Sequence, residues 1–108
     1  MGKKDDIDQL TNIMSRALRH RIGSIVNKDE FYAEKYSKDS ENLLKEAEKV
    51  LERRNWNRDD KINIKEELRK KLLKELQEKD FLNDEKFDIM EDEMGNALRG
   101  FGIEVDDR

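Results

Sequence analysis

In the stretch IDQLTNIMSRALRHRIGSIV, residues 7–26, the apolar residues Ile7, Leu10, Met14, Leu18, Ile22 and Ile25 recur at steps of three and four. That is the period of one face of an α-helix. Turning about 100° per residue from Ile7, all six fall within roughly 60° of the starting direction. Arg16, Arg19 and His20 fall at about 180°, 120° and 220°, on the opposite side. Arg21 falls at the border of the stripe, where its stem can pack while its head stays in water. The stretch predicts a long amphipathic helix with a buried apolar edge (Met14, Leu18, Ile22, Ile25) and an exposed cationic edge (Arg16, Arg19, His20).

Three further stripes have helical spacing. Tyr32, Tyr36, Leu43, Ala47, Val50 and Leu51 form one, with Ser40 filling its gap. Ile64, Leu68, Leu72 and Leu76 form another, and Phe87, Met90, Met94, Ala97/Leu98 and Phe101 the last. Cap signals bound them. Asn27 with Glu30 three residues on reads as a capping box, with Val26 and Phe31 as its staple. Asp59 or Asp60 can cap the third helix, and Asn83 the fourth, with Leu82 stapling to Phe87. Gly100 and Gly102 mark its end. The spacing predicts helices over about 5–26, 28–54, 59–79 and 84–99. A break in the second is expected near Ser37 and Ser40, whose hydroxyls can compete for the backbone.

The fold class expected is therefore all-α: one domain over 1–108, a bundle of about four helices. The polar turn Arg54–Asn57 between the second and third helices suggests that these two form a central antiparallel hairpin. Residues 1–4 and 103–108 are expected to be disordered.

Composition supports the class. The 108 residues contain no proline and only five glycines, so few helix breakers interrupt the stripes. Charged residues reach 46 % and apolar residues only 34 %. A core that thin predicts reliance on self-association, and a homodimer is expected. The net charge of −4 excludes a generally basic nucleic-acid coat. Charge is uneven, however. The first 27 residues and residues 62–79 are each net +2, whereas residues 80–108 are net −7. One reading has the acidic fourth helix lying beside the basic first or third. The other makes it a docking surface. With no cysteine and no long apolar run, the expectation is a cytoplasmic protein without disulfides or a membrane span.

The residues restrict the chemistry. One histidine and no cysteine exclude a zinc site built within one chain. The acid-rich NDEKFDIMEDE, residues 83–93, lacks the glycine at the sixth position of an EF-hand loop. Glu75-x-x-Glu78 and Glu85-x-x-Asp88 resemble halves of the Mg²⁺ pattern of MazG-type pyrophosphatases, without its leading glutamate pair. Arg16 and His20 resemble the Arg…His pair of HEPN ribonucleases, but only three residues separate them. SRALRHRIGSIV, residues 15–26, resembles the H-box of sensor histidine kinase dimerisation domains. That likeness implies an exposed, phosphorylatable His20 on the first helix of a hairpin, although Arg21 stands where that family has an acid or Asn.

The expected function is a small helical protein–protein interaction or regulatory module without catalytic activity, metal or cofactor. Its candidate contact residues are Arg16, Arg19 and His20, the acidic Asp88, Glu91 and Asp92, and Trp56, which is a lid on the core or an interface anchor. Two alternatives come from other classes. One is a nucleic-acid-associated regulator using the basic first and third helices. The other is a phosphotransfer hairpin using His20.

Overall fold

The computed structural model describes residues 2–26, 29–79 and 84–104. Four helices account for most of them: α1 (Lys3–Val26), α2 (Glu30–Leu51), α3 (Arg58–Gln77) and α4 (Glu85–Gly100). Among the described residues there is no strand. The fold is the all-α bundle that the four stripes predict. Each boundary falls within three residues of its expected position.

The caps differ in register. The expected cap Asn27 lies outside the described residues, and α2 is capped by Asp29, whose carboxylate accepts the Phe31 N–H at 3.0 Å. At α3 the cap is Asn57, not Asp59 or Asp60. Its side-chain oxygen accepts the Asp60 N–H at 2.8 Å, and the Asp60 carboxylate accepts the Asn57 N–H at 3.0 Å. Both early donors are thus satisfied reciprocally, and Asp60 serves at the third helical position. Asn57→Ala is expected to cost about 0.5–2 kcal/mol. The measurement is a lowered urea midpoint at constant m-value, and an unmoved midpoint would mean that the box contributes nothing. The expected cap of α4, Asn83, and its staple Leu82 lie outside the described residues.

The end of α4 is ordered by a glycine. Gly102 adopts φ +69°, a conformation open to glycine without a Cβ clash. Its N–H donates to Arg99 O and that of Ile103 to Leu98 O, both at 3.0 Å. This pair of bonds is a Schellman motif, with Ile103 and Leu98 buried together beneath it. Ile103 therefore does not fray. At the other terminus Lys3 and Lys4 already belong to α1.

The helix pairing corrects the expected hairpin. α2 packs on α1, and it does not pack on α3. The antiparallel sense of α1 and α2 is fixed at both ends. Arg53 and Arg54 reach Asp6 at 3.4 and 2.6 Å, while Tyr36 packs against Gly23 and His20. α3 runs parallel to α1, with Asp60 paired to Lys3, Lys71 to Asp8 and Glu75 to Arg19. α4 returns antiparallel against both, through Arg21–Glu93 and Arg69–Glu91. So α1 is the hub, with α2 and α3 on opposite flanks. The physical reason lies in the connection. Its six residues, 52–57, can reach roughly 20 Å. That is enough to step past one helix when neighbouring axes lie about 8–10 Å apart. What reads as a tight turn is a bridge around α1.

The hub explains the wide burial of α1. Leu10, Met14, Ala17 and Ile22 are enclosed, and so are Thr11 and Ser15 on the flank toward α3. Thr11 stays satisfied there: its hydroxyl donates to Ile7 O at 2.8 Å and accepts from Lys71 Nζ at 2.7 Å. On α3 the four residues spaced by four, Ile64, Leu68, Leu72 and Leu76, are all fully buried. α2 runs without the expected break, and Ser40 is buried within it. Trp56 is the lid that the sequence suggests. It packs against the core from the bridge and donates Nε1–H to Leu51 O at 2.8 Å.

Candidate functional site

The cationic edge of α1 is largely occupied from within. α3 supplies Glu75 to Arg19, with Nε and Oε2 2.9 Å apart. α2 covers His20, whose side chain is only 16 % exposed. The His20 ring meets Tyr36 edge to face at 5.8 Å between centroids. Its Nδ1 lies 2.8 Å from Arg16 O. A carbonyl can only accept, so Nδ1 carries the proton and donates. Nε2 faces Asp39 at 3.9 Å. His20 is thus wedged between two helices, not presented outward as the H-box likeness implies. Of the three residues only Arg16 is exposed and without an ion-pair partner among the described residues. The reason is geometric: α2 and α3 flank α1, so only the strip near Arg16 stays open.

The acidic candidates separate in the same way. Glu91 forms a forked pair with Arg69 across α3 and α4, at 2.8 and 3.0 Å. Asp88 and Asp92 are exposed. The charge asymmetry in the sequence is therefore in part internal complementarity between α4 and its two neighbours. Nothing brings Arg16, Arg19 and His20 together with Asp88, Glu91 and Asp92 into one site. Trp56 stands at the far end of α1, away from His20. Among the described residues, no three His, Asp or Glu side chains are placed to hold a metal ion. A cleft of about 420 Å³ between α1 and α3 is lined by Arg16, Lys74, Glu75 and Glu78 among others. Its cations and carboxylates are interleaved, which suits no single charge class of ligand.

Two carboxyls are held below their ordinary range. Burial raises Asp60, but the Lys3 ammonium, the Asn57 N–H and the charge of Arg54 outweigh it. At Glu91 the hydrogen bonds from Arg69 lower it first, against burial, with the charges of Arg69 and Lys65 adding to the effect. A lowered folded value means stability that is fully present above the unfolded value, near pH 4, and lost as pH falls through the folded one. Thermal stability is therefore expected to fall below about pH 4. An Asp60→Asn/Glu91→Gln variant should lose less over the same interval. Parallel acid profiles for variant and parent would contradict this.

The sequence missed a different feature. α1 and α3 end where α2 and α4 begin. At that end four large apolar side chains are in water: Ile25 at 46 % exposure, Phe31 at 72 %, Tyr32 at 48 % and Phe87 at 36 %. At the opposite end Trp56, Phe101 and the buried Ile103 pack against the core. Phe31 and Tyr32 meet edge to face at 5.5 Å, and Tyr32 lies 6.5 Å from Tyr36. Ile25 corrects the sequence reading, because it keeps the period of the stripe yet is nearly half exposed, while Val26 beside it is buried. Phe31 corrects the staple. With Asp29 as the cap, Phe31 becomes the second helical residue and is 72 % exposed, outside the core that holds Val26.

Phe87 is exchanged with its neighbour. Lys86 is buried and donates from Nζ to Lys79 O at 2.8 Å, just beyond the end of α3. A cation at a helix C-terminus is favourable, and the lysine stem fills apolar space on the way. The Lys86 ammonium also lies 5.0 Å from the Phe87 ring centroid. The phenyl ring is left at the surface.

Comparison with protein-family models, curated proteins and solved structures gives no match. No helix among the described residues is long and apolar enough to cross a membrane.

Proposed function

We propose that this chain is a small protein–protein interaction or regulatory module, not a catalyst, and that it meets its protein partner through the apolar end of the bundle. The carrying observation is the exposure of Ile25, Phe31, Tyr32 and Phe87 at one end, while Trp56 and Phe101 pack onto the core at the other. A cluster of large apolar side chains in water marks an interaction surface more often than scattered single ones do. Aromatic residues are also enriched among the side chains that dominate binding energy. The cationic edge supports this role less, because Arg19 and His20 are engaged within the chain. The cysteine-free composition suits a reducing compartment, and we place the module in the cytoplasm.

The nucleic-acid reading keeps Arg16 and Lys74 in the α1–α3 cleft, beside Glu75 and Glu78. That is fewer cations on one face than phosphate-backbone binding calls for. The phosphotransfer reading would need His20 freed from Tyr36.

The test is a pull-down from the source cells with the tagged chain. A partner kept by Arg16→Ala but lost by Phe31→Ser/Tyr32→Ser is expected. A partner kept by the double variant and lost by Arg16→Ala would overturn the choice of surface. Retention of no protein at all would overturn the module reading.

A further inference from the structure

Among the described residues, the exposed unpaired charges at the apolar end are mostly acidic. In the helix turns that meet there, Glu34, Glu78, Asp84 and Asp88 are exposed and have no ion-pair partner among the described residues. Lys35 and Lys74 are the exposed cations of the same turns that have none. Asp29, spent on capping α2, adds further negative charge. Acids at the start of α2 and α4 also favour those helices through their dipoles. That accounts for their presence at helix starts. It does not account for the apolar cluster that they surround.

Resting on the interaction-module reading, we propose that this end docks a cationic amphipathic segment of a partner protein: aliphatic or aromatic anchors seated on Phe31, Tyr32, Ile25 and Phe87, with lysines or arginines beside them meeting Glu34, Glu78, Asp84 and Asp88. Charge complementarity selects this occupant. A second copy of the chain would bring the same apolar centre but also the same acidic rim, and like charges oppose that pairing. An acidic segment meets the same opposition. A cationic one is drawn to the rim before contact, which raises its association rate at low salt. The anchors then bury apolar surface against Phe31 and Tyr32, whose rings already meet edge to face.

The experiment uses the full chain and two synthetic helical peptides of about 14 residues, long enough to hold some helix. Both carry leucine on one face. One has lysine on the other face and the second has glutamate. Binding is followed by calorimetry and by amide shifts in NMR. The leucine–lysine peptide is expected to bind and to shift Ile25, Phe31, Tyr32 and Phe87. Its affinity should fall roughly tenfold or more in Phe31→Ser/Tyr32→Ser, severalfold in Asp84→Asn/Asp88→Asn, and steadily with added salt. These side chains are exposed, so the variants should keep the parent's helical circular dichroism.

Equal binding of both peptides would overturn the proposal, as would shifts confined to another surface, or no binding of the lysine peptide at millimolar concentration. So would a free chain that light scattering finds dimeric, with Phe31→Ser/Tyr32→Ser returning it to monomer. A natural partner lost by that double variant, together with a lysine peptide that does not bind, would sink this inference and leave the interaction-module reading standing.

Discussion

Leu10→Ala is expected to cost about 2–5 kcal/mol of folding stability. Leu10 is fully enclosed and sits on α1, the helix against which the other three pack. Removing its side chain loses the transfer free energy of the missing carbons. It also leaves a cavity between helices that cannot all move inward, because α3, α4 and the connection that follows α2 are each held to α1 by separate side-chain bridges. Domains of this size have about 5–15 kcal/mol in total, so the loss is a large fraction. At roughly 4–8 °C per kcal/mol, Tm should fall by about 8–40 °C. The informative control is Ile25→Ala. Ile25 belongs to the same sequence stripe, yet it is nearly half exposed. Its truncation should stay within about 0.5 kcal/mol of the parent. Denaturant unfolding of the two variants measures both. A loss under 1 kcal/mol for Leu10→Ala, or equal losses for the two, would contradict the burial described.

Ser40→Ala is expected to act in the opposite direction and stabilise the chain by about 1–3 kcal/mol. The Ser40 hydroxyl is buried in α2 and has no hydrogen-bond partner among the described residues. A polar group taken from water without a partner costs its full desolvation, whereas alanine has nothing to desolvate. Alanine also has the higher helix propensity, worth a few tenths of a kcal/mol more. The methyl group fills most of the same volume, so little cavity opens. An upward shift of Tm by several degrees is expected. A variant less stable than the parent would show that Ser40 has a partner in solution, the nearest sort being a carbonyl one turn back along α2.

The helices and most of the core were legible because burial imposes a 3.6-residue period on the side chains that face inward. Leu10, Met14, Leu18, Leu68, Leu72 and Met94 are all buried where that period puts them. Pairing was not legible. A six-residue bridge is compatible with neighbouring or with skipped helices, and only the matching of Arg54 to Asp6 and Lys71 to Asp8 distinguishes them. No local pattern announces matches at such separations. Cap register was ambiguous wherever Asn and Asp are crowded, as at Asn57, Asp59 and Asp60. The candidate site was the least legible part. The cationic edge is obvious in the sequence, but helical phase says only that it faces away from one stripe. It does not say that a second and a third helix cover that side. The apolar end was hidden for the converse reason. Ile25, Tyr32 and Phe87 keep the period of the core, yet each is exposed close to the end of its helix. Lys86 and Phe87 exchange expected roles because a carbonyl at the end of α3 offers the lysine a partner.

The whole account of the site rests on α1 as the hub. That arrangement engages Arg19 and His20 and sends the exposed aromatic residues to one end. The chain has a single histidine, so its imidazole protons give an unambiguous NMR signal. The most direct measurement is a nuclear Overhauser spectrum recorded from the His20 ring. Cross-peaks to the ring protons of Tyr36 are expected, since the two centroids lie 5.8 Å apart. A His20 ring with no cross-peak to α2, seen together with contacts between α2 and α3, would restore the α2–α3 hairpin and contradict the account.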